Sequence, residues 1–290
     1  MGEINNELKI EIRLMTENDL SSLISLKHRL GWNQTEDDLR RLLELNPHGC
    51  FTADHDGEMV GTITSIVYDN TLAWIGMMLV DPGYRRRRIA ARLMSRALEY
   101  LYGKGINTIK LDATPDGFPL YQSMGFITET LIERWECSAG SNLKNNLQDL
   151  DDALLPAIYE LDKIAFGVDR SFLIDALMKS SNSKSASSIS SAGNHLNGFA
   201  LSRPGSNANY IGPIVAKDRR SAADLLEGML AQSNSKKVYV DFNTGFDLPL
   251  DYLIELGFVK QRDLIRMSLG TKNAAGTSGL VLAIAGPELG

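Results

Sequence analysis

The sequence predicts an α/β (α+β) architecture that is duplicated in tandem. The length of 290 residues suits two units of about 150 residues each. Strand-like and helix-like periodicities alternate along both halves. A stretch of the first half also recurs in the second: Ile75-Gly76 returns as Ile211-Gly212, and Asp112 returns as Asp241, at offsets of 136 and 129 residues. A recurring element order at a steady offset is the signature of an internal repeat.

Composition narrows the class of protein. Hydrophobic residues make up 43% and charged residues 23%, with no apolar run near the roughly 20 residues that a membrane span needs. We therefore expect a soluble protein without a membrane partner. The first ten residues lack signal-peptide features, and the only cysteines are Cys50 and Cys137, which favours the reducing cytoplasm. The formal net charge of -6 argues against a nucleic-acid partner. We expect a monomer or homodimer.

The elements of the first half follow from local patterns. Alternating apolar residues at 10–14 predict a strand, and Thr16 or Asn18 is the candidate cap of the helix that follows. The Asp56-Gly57 pair between two β-branched runs predicts a hairpin. The remaining patterns predict the strand LAWIGMMLV, a helix over 90–101, the strand INTIKLDAT, a short helix closed by Gly125, and the strand ITETLIERWEC. The predicted order is β, α, β, β, β, α, β, α, β.

Two polar stretches divide the second half from the first and interrupt it. Residues 138–149 are rich in Gly, Ser and Asn, as expected of a linker between a first domain over 1–137 and a second over 150–290. Residues 180–193, SSNSKSASSISSAG, are low in complexity. They predict either a loose loop or a weak edge strand.

The stretch VDPGYRRRRIAARLM places four arginines, at 85–88, between a predicted strand and helix of an acidic protein. A helix start carries unpaired N–H groups and partial positive charge, so it attracts anions. No Ser, Thr, Asp or Asn lies closer upstream than Asp81, so a bound phosphate can take the place of a side-chain cap. The alternative is a solvated charge run or a nonspecific nucleic-acid patch. No other phosphate motif and no zinc-site spacing appears.

These residues resemble a known family. MMLVDPGYRRRRIAARLMSRAL is similar to the acetyl-CoA motif of the GCN5-related N-acetyltransferases (GNAT), and LDATPDGFPLYQSMGF is similar to their second motif. The second half resembles the degenerate acetyltransferase-like domain that some members carry at the C-terminus. The resemblance implies two tandem GNAT-like domains, each a mixed, mostly antiparallel twisted sheet flanked by helices. It also implies an N-acetyltransferase for a small amine or amino acid-like acceptor, with acetyl-CoA as cosubstrate and no metal.

The resemblance also assigns residues by motif position. Backbone N–H groups of one strand would hold the pantetheine and thioester oxygen, and the following turn would hold the pyrophosphate; these residues are Met78, Leu79, Val80, Arg85, Arg86, Arg87, Arg88, Ile89 and Ala90. Tyr121 takes the position of the general acid. Arg88 stands where the family has glycine. We expect this position to be helical already, so that its side chain points away from the phosphate.

Several assignments stay open at this stage. The general base is Asp112, His55 or a chain of waters, and Trp74, Met77 and Met78 are candidates for an acceptor pocket. The other readings of the site residues are structural: Tyr121 packs in the core, Asp112 ends a strand and His55 lies in an exposed turn. A CoA-binding sensor or scaffold without activity is the alternative function, and a nucleic-acid-binding module is a weaker third option.

The second half lacks the same signals, so we predict one CoA per chain. Its corresponding turn holds only Arg219 and Arg220, and Ser221 followed by Asp224 suggests an ordinary capped helix start. Pro213 removes one strand N–H, and Leu253 stands where the first half has Tyr121. We expect this half to pack beside the first and to shape the acceptor pocket through residues 241–246, or else to be a purely structural partner.

Overall fold

The computed structural model describes residues 9–138, 143, 147, 150–189, 195–233, 237–271 and 276–290. The elements of the first half are β1 Ile10–Leu14, α1 Leu20–Arg29, α2 Glu36–Leu45, β2 Phe51–His55, β3 Glu58–Tyr68, β4 Leu72–Val80, α3 Ile89–Gly103, β5 Thr108–Ala113, α4 Phe118–Ser123 and β6 Ile127–Ser138. Those of the second half are α5 Leu155–Phe166, α6 Ser171–Met178, β7 Lys184–Ile189, β8 Leu196–Arg203, β9 Asn209–Ala216, α7 Arg219–Gln232, β10 Lys237–Asn243, α8 Leu250–Glu255, β11 Val259–Gly270 and β12 Val281–Ala283.

The predicted element order of the first half is wrong by one helix, α2. Its start carries a capping box, in which Thr35 Oγ1 accepts from the Asp38 N–H at 3.2 Å and the Asp38 carboxylate accepts from the Thr35 N–H at 2.8 Å. This reciprocal pair satisfies two N–H groups that a helix start otherwise leaves unpaired. The sequence TEDDL carries this signal, and three acidic residues in the first turn also favour a helix there.

The twelve strands of the described ranges join one mixed, mostly antiparallel sheet, which confirms the expected fold class. The strand order is β1-β2-β3-β4-β5-β11-β6-β10-β12-β9-β8-β7. Only two pairs in the described residues are parallel, β4 with β5 and β9 with β10. Because each parallel pair is joined through a crossover helix, α3 or α7, the two pairs are the equivalent centres of the two halves.

The two halves exchange their last long strands. β11 of the second half lies between β5 and β6 and pairs antiparallel with both, while β6 of the first half pairs with β10. The edge of β5 is therefore completed by the second half, and the edge of β10 by the first. The domain limits proposed above, at 137/138 and 149/150, stay a prediction, but the sheet runs without a break across them.

Two equivalent buried ion pairs tie the exchanged strands in place. Asp112 of β5 accepts two hydrogen bonds from Arg266 of β11, at 2.8 and 2.9 Å. Asp241 of β10 accepts two from Arg134 of β6, at 2.7 and 2.6 Å. Both aspartate side chains have no exposed surface. Since buried carboxylates are costly without a partner, each pair fixes the choice of neighbouring strand.

Helices cover both faces of the sheet. On one face of the first-half strands, α3 packs through Leu93, Ala97 and Leu101 onto β1 to β5. On the opposite face, α1, α2, α5 and α6 share a second apolar cluster with residues near the end of the chain, including Leu289. A third cluster lies between α7 and the strands of the second half.

The polar stretches of the second half are partly described. Lys184–Ile189 forms the edge strand β7, so the edge-strand alternative is confirmed for those residues, whereas 190–193 lie outside the described part. Of the predicted linker, only 138, 143 and 147 are described. Cys50 and Cys137 are buried free thiols. None of the helices in the described ranges is long and apolar enough to cross a membrane.

Candidate active site

The parallel pair β4 and β5 opens into a cleft. Pairing runs from Leu72 with Thr108 to Ile75 with Leu111 and stops there, so Gly76 onward in β4 and Asp112 onward in β5 have no partner across the gap. On its other side, β4 carries a bulge: Thr64 pairs with Gly76 and Thr62 with Leu79, which leaves two β4 residues opposite one of β3. Strand edges of this kind offer unpaired N–H and C=O groups to a ligand.

The bulge lies at the residues that the motif assigns to the thioester. Met77 adopts a left-handed φ of 45°, and its carbonyl accepts from Thr62 Oγ1 at 2.8 Å. The bulge places Met77 in the cluster on the α1 and α2 face, while Met78 and Val80 pack against the cluster under α3. Met77 is therefore a core residue, and the prediction that it lines an acceptor pocket is not supported by its 1% exposure.

The arginine loop connects β4 to α3 at the mouth of this cleft. Arg88 is not helical, so that expectation was wrong: it precedes the helix with a left-handed φ of 60°, and Arg86 has a φ of 62°. Glycine is favoured at such positions because it has no Cβ. The left-handed conformation thus explains why the family has glycine at this position. The Arg88 side chain points outward, as expected, but its backbone is left-handed and not helical.

The loop is prepared for an anion. No side chain caps α3, as predicted, and within the described part of the chain the N–H groups of residues 86–91 donate no hydrogen bond. All four arginines are exposed. Arg85 approaches the exposed Asp116 at 4.0 Å, and the other three form no ion pair with a described residue. Successive free N–H groups beside unpaired cations form an anion-binding concavity.

Tyr121 lies in α4 within the apolar cluster that also contains Met78 and Val80. It is 7% exposed, and its ring approaches Gly117 so closely that a Cβ there would lie 2.9 Å from Cε2. Burial raises the pKa of the phenol above its usual range. The hydroxyl therefore stays protonated at neutral pH, as a proton donor requires.

The two candidate bases lie apart. The Asp112 carboxylate is at the cleft, but both its oxygens accept from Arg266; burial raises its pKa, against the effect of the Arg266 charge. His55 lies two strands from β4, with its ring 5.5 Å from Tyr84 and its Nδ1 3.2 Å from the Lys9 carbonyl oxygen. His55 is thus beside the arginine loop rather than beside the bulge.

A cavity of about 220 Å³ lies on the face opposite α3. Both halves line it, and its walls include Trp74, Lys110, Glu129, Phe166, Arg266 and Asn243. It brings the predicted acceptor-pocket residue Trp74 together with Asn243, from the segment 241–246. The Arg266 guanidinium lies over the Trp74 ring at 4.5 Å and separates this cavity from Asp112.

The equivalent cleft of the second half is filled. β9 and β10 pair only as far as Ile211 with Val240, and β12 then enters the gap, with Ala283 opposite both Ile214 and Phe242. The α7 helix start is capped by Asp218 rather than by Ser221 as predicted: the Asp218 carboxylate accepts from the Ser221 N–H at 2.8 Å.

Sequence reasoning missed one group of residues at the site, the segment 284–290. It is buried throughout and crosses β4 on the face opposite α3, where Trp74 Nε1 donates to the Pro287 carbonyl at 2.9 Å. The Glu288 backbone lies against Gly76, at the start of the cleft. The local pattern of AIAGPELG predicts none of this, because the contacts are made with residues more than 200 positions away.

Together the cleft, the bulge and the arginine loop form a site that offers an anion-binding loop next to free strand backbone. In the described ranges no cluster of three or more His, Cys, Asp or Glu residues is arranged to hold a metal ion. The profile of the acetyltransferase (GNAT) family matches residues 18–126, and that of a second acetyltransferase (GNAT) domain matches residues 158–282.

Known relatives agree with these matches. The uncharacterized N-acetyltransferase YitH of Bacillus subtilis is 27% identical over 261 residues, which cover 86% of this chain and 88% of that protein. An acetyltransferase of Pectobacterium atrosepticum is 32% identical over 130 residues, 42% of this chain and 92% of its own length. The chain therefore belongs to the GCN5-related N-acetyltransferase family and carries two of its domains.

Solved structures show the same tandem arrangement. A Pyrococcus horikoshii protein of the acetyltransferase class superposes with a TM-score of 0.81 at 25% identity, over 100% of this chain and 99% of that chain. A tandem GNAT protein from the clavulanic acid biosynthesis pathway has a TM-score of 0.62 at 15% identity, over 90% of this chain and 98% of its own; this second likeness concerns the fold alone. The protein is an N-acetyltransferase, and its family takes the acetyl group from acetyl-CoA and passes it to an acceptor substrate.

Proposed function

We propose that the first half transfers the acetyl group of acetyl-CoA to the amine of a small-molecule or amino acid-like acceptor by direct attack. The observation that carries this proposal is the arginine loop, with its unpaired N–H groups, at the mouth of the only one of the two clefts that has no described strand in it. A phosphate-bearing carrier bound at the loop can extend its thioester arm between β4 and β5.

In this proposal the pyrophosphate lies at the arginine loop. The N–H groups of residues 86–91 and the side chains of Arg85 and Arg87 are available to its oxygens, since they have few or no protein partners. The pantetheine arm runs along the free edge of β4 at Met78, Leu79 and Val80. The bulge at Met77 and Met78 turns strand backbone toward the thioester oxygen, where negative charge develops as the amine attacks.

Tyr121 donates the proton that the leaving thiolate needs. Its neighbours are apolar and burial raises its pKa, so the phenol is protonated at neutral pH and carries a proton that it can donate. The second half closes the sheet beside β5 through β11 and lines the cavity that faces Trp74. We assign the acceptor to this side of the sheet.

The test is acetyl transfer to a panel of amines. Transfer is measured by the release of the CoA thiol from acetyl-CoA. Tryptamine, spermidine, glucosamine and L-lysine differ in size and charge and serve as probes. Transfer to at least one of them supports the proposal. Tight CoA binding without transfer to any amine, in this panel or a wider one, would favour the sensor or scaffold.

Substitution of Tyr121 tests the assigned acid. Tyr121→Phe should lower kcat by about 10² to 10⁴-fold and leave the CoA dissociation constant near wild type, because the proton is needed only in the transition state. Tyr102→Phe is the matched control, since Tyr102 is 49% exposed on α3 and should be silent. A Tyr121→Phe enzyme with wild-type kcat would assign the residue to packing.

A further inference from the structure

The segment 284–290 of the second half crosses the first half's cleft strand. Side chains from β3, β8 and the connection between α5 and α6 hold its carbonyl groups: Tyr68 donates to the Leu289 oxygen at 2.7 Å, Arg170 to the Gly290 oxygen at 2.8 Å, and Arg203 to the Ala285 oxygen at 2.8 Å. Together with the Trp74 bond these contacts fix the backbone of the segment. The one ionisable side chain in it, Glu288, is therefore held in a defined place.

Glu288 lies directly over the start of the cleft. A Cβ on Gly76 would lie 2.7 Å from the Glu288 Cα and 2.8 Å from its Cβ, so only glycine fits beneath it. Gly76 immediately precedes the bulge, and Met78 is two residues further on. The Glu288 backbone therefore lies beside the strand residue that leads into the bulge.

The Glu288 carboxylate is buried but weakly engaged. One oxygen accepts from Gln34 Nε2 at 2.8 Å, and the other from Arg203 Nη2 at 3.2 Å. Arg203 is shared, because its Nε donates to Asp38 at 3.0 Å. Asp112 and Asp241, by contrast, each hold an arginine of their own through two short bonds. Glu288 is thus the buried carboxylate at β4 that remains available for a proton.

A void beside this carboxylate has room for one small polar group. It measures about 10 Å³, about the least that one bound water needs, and its walls include Gln34, Asp38, Arg134, Arg203, Tyr210 and Glu288. Gln34 is 7% exposed, and its Oε1 has no hydrogen-bond partner among the residues that the structure describes. An unpartnered buried acceptor facing a polar void calls for a donor, such as a water or an amine N–H.

We infer that Glu288 accepts, through water, the proton that the acceptor amine loses, and that Gln34 Oε1 orients the water beside the carboxylate. The inference rests on the proposed function. The nitrogen lone pair forms the C–N bond with the thioester carbon, and the C–S bond breaks with its electron pair on sulfur. The proton on nitrogen passes to Glu288, and the thiolate takes the proton of Tyr121. The second half then completes the first half's active site.

The surroundings suit a proton acceptor. Burial raises the pKa of Glu288, and the Arg203 charge opposes this effect. A carboxyl group with a raised pKa is a stronger base than one in water. The charged and titratable groups that act on it come from every neighbouring element: Asp38 of α2, Tyr68 of β3, Arg134 of β6, Arg203 of β8 and Tyr210 of β9.

The test compares Glu288→Gln with wild type over pH, using acetyl-CoA and the best amine of the panel. The ratio of the two kcat/KM values cancels the amine's own ionisation. We expect a ratio near one at low pH, where Glu288 is protonated and resembles glutamine, and a ratio of about 10² or more above its pKa. CoA affinity should not change. A ratio that is constant over pH would assign Glu288 to structure and overturn the inference.

The matched control is Asp162→Asn. Asp162 is another buried carboxylate, and it holds Arg170, which binds the same segment at Gly290. The ratio of the wild-type kcat/KM to that of Asp162→Asn should therefore not depend on pH in this way.

If wild type transfers acetyl to no amine, the proposed function fails, and a second measurement tests separately whether Glu288 can take up a proton. Infrared difference spectra between acidic and neutral pH should contain a carboxylic acid band that Glu288→Gln removes. Its absence would overturn the inference independently of turnover.

Discussion

The two clefts of this sheet begin in the same way and end differently. In each half the parallel pairing stops at an isoleucine, Ile75 or Ile211, and a glycine follows. The first cleft then has an arginine loop at its mouth, whereas β12 of the same chain enters the second. The second half thus has a strand of the same chain where the first half has an open cleft.

The helix starts beside the two clefts also differ, because one has a side-chain cap and the other has none. Asp218 caps α7 with its carboxylate and neutralises the helix start, whereas Arg88 precedes α3 in a left-handed conformation without a side-chain cap. One helix start is complete within the protein, and the other is incomplete until an anion binds. Stability is favoured in the second half, and ligand binding in the first.

The largest expected effect is a loss of stability when the buried ion pairs of the exchanged strands are broken. The loss should be the same in the two halves. Asp112→Ala and Asp241→Ala should each lower the free energy of unfolding by about 3 to 5 kcal/mol, because each leaves a buried arginine without its carboxylate. Chemical denaturation measures both. Asp224→Ala, on the exposed face of α7, is the control and should change stability by no more than about 0.5 kcal/mol. A clear inequality between the two buried sites would show that the exchange is not symmetric.

The second prediction is that CoA binds at the first cleft and not at the second. Calorimetry should find one CoA per chain, and Arg85→Ala or Arg87→Ala should each weaken binding by about 1 to 3 kcal/mol through loss of a charge-assisted contact. Arg220→Ala is matched to them, because Arg220 lies at the equivalent helix start with a side chain 93% exposed, and it should leave affinity unchanged. Two CoA molecules per chain would contradict the assignment of the second cleft.

The smallest expected effects are of opposite sign at the two helix starts. Asp218→Ala removes the cap of α7 and should destabilise the protein by about 1 kcal/mol. Arg88→Gly relieves a left-handed side-chain residue and should stabilise it by up to about 1 kcal/mol. Thermal or chemical denaturation without CoA measures both changes. Stabilisation by Asp218→Ala would mean that α7 does not depend on its cap.

Local signals in the sequence predicted much of this molecule. The Asp56-Gly57 hairpin, the uncapped α3 and the turn at Gly125 follow from turn chemistry, capping and periodicity, whereas the mixed sheet was expected from the family resemblance. Gly125 has a φ of 90°, and Gly257 closes the equivalent turn of the second half with a φ of 85°. The helix α2 had an equally local signal at Thr35 and was overlooked.

The remaining features depend on partners far away in the chain. The strand patterns of β6 and β11 are the same whichever half they join, because side-chain alternation specifies a face and not a neighbour. The short run at β12 resembles any buried strand, and its place between β9 and β10 is set by tertiary packing. Glu288 gives no local sign of its role, since its contacts with Gly76, Gln34 and Arg203 all come from other parts of the fold.

The strand exchange has a consequence for how the chain folds. During synthesis β5 emerges with one edge unpaired, and its neighbour β11 follows only after most of the second half. The first half therefore cannot close its sheet alone, and until β11 arrives it presents an edge that can pair with other chains. Contacts of this sequence separation also slow folding. We expect the two halves to unfold and refold as a single cooperative unit, with aggregation as the main competing route.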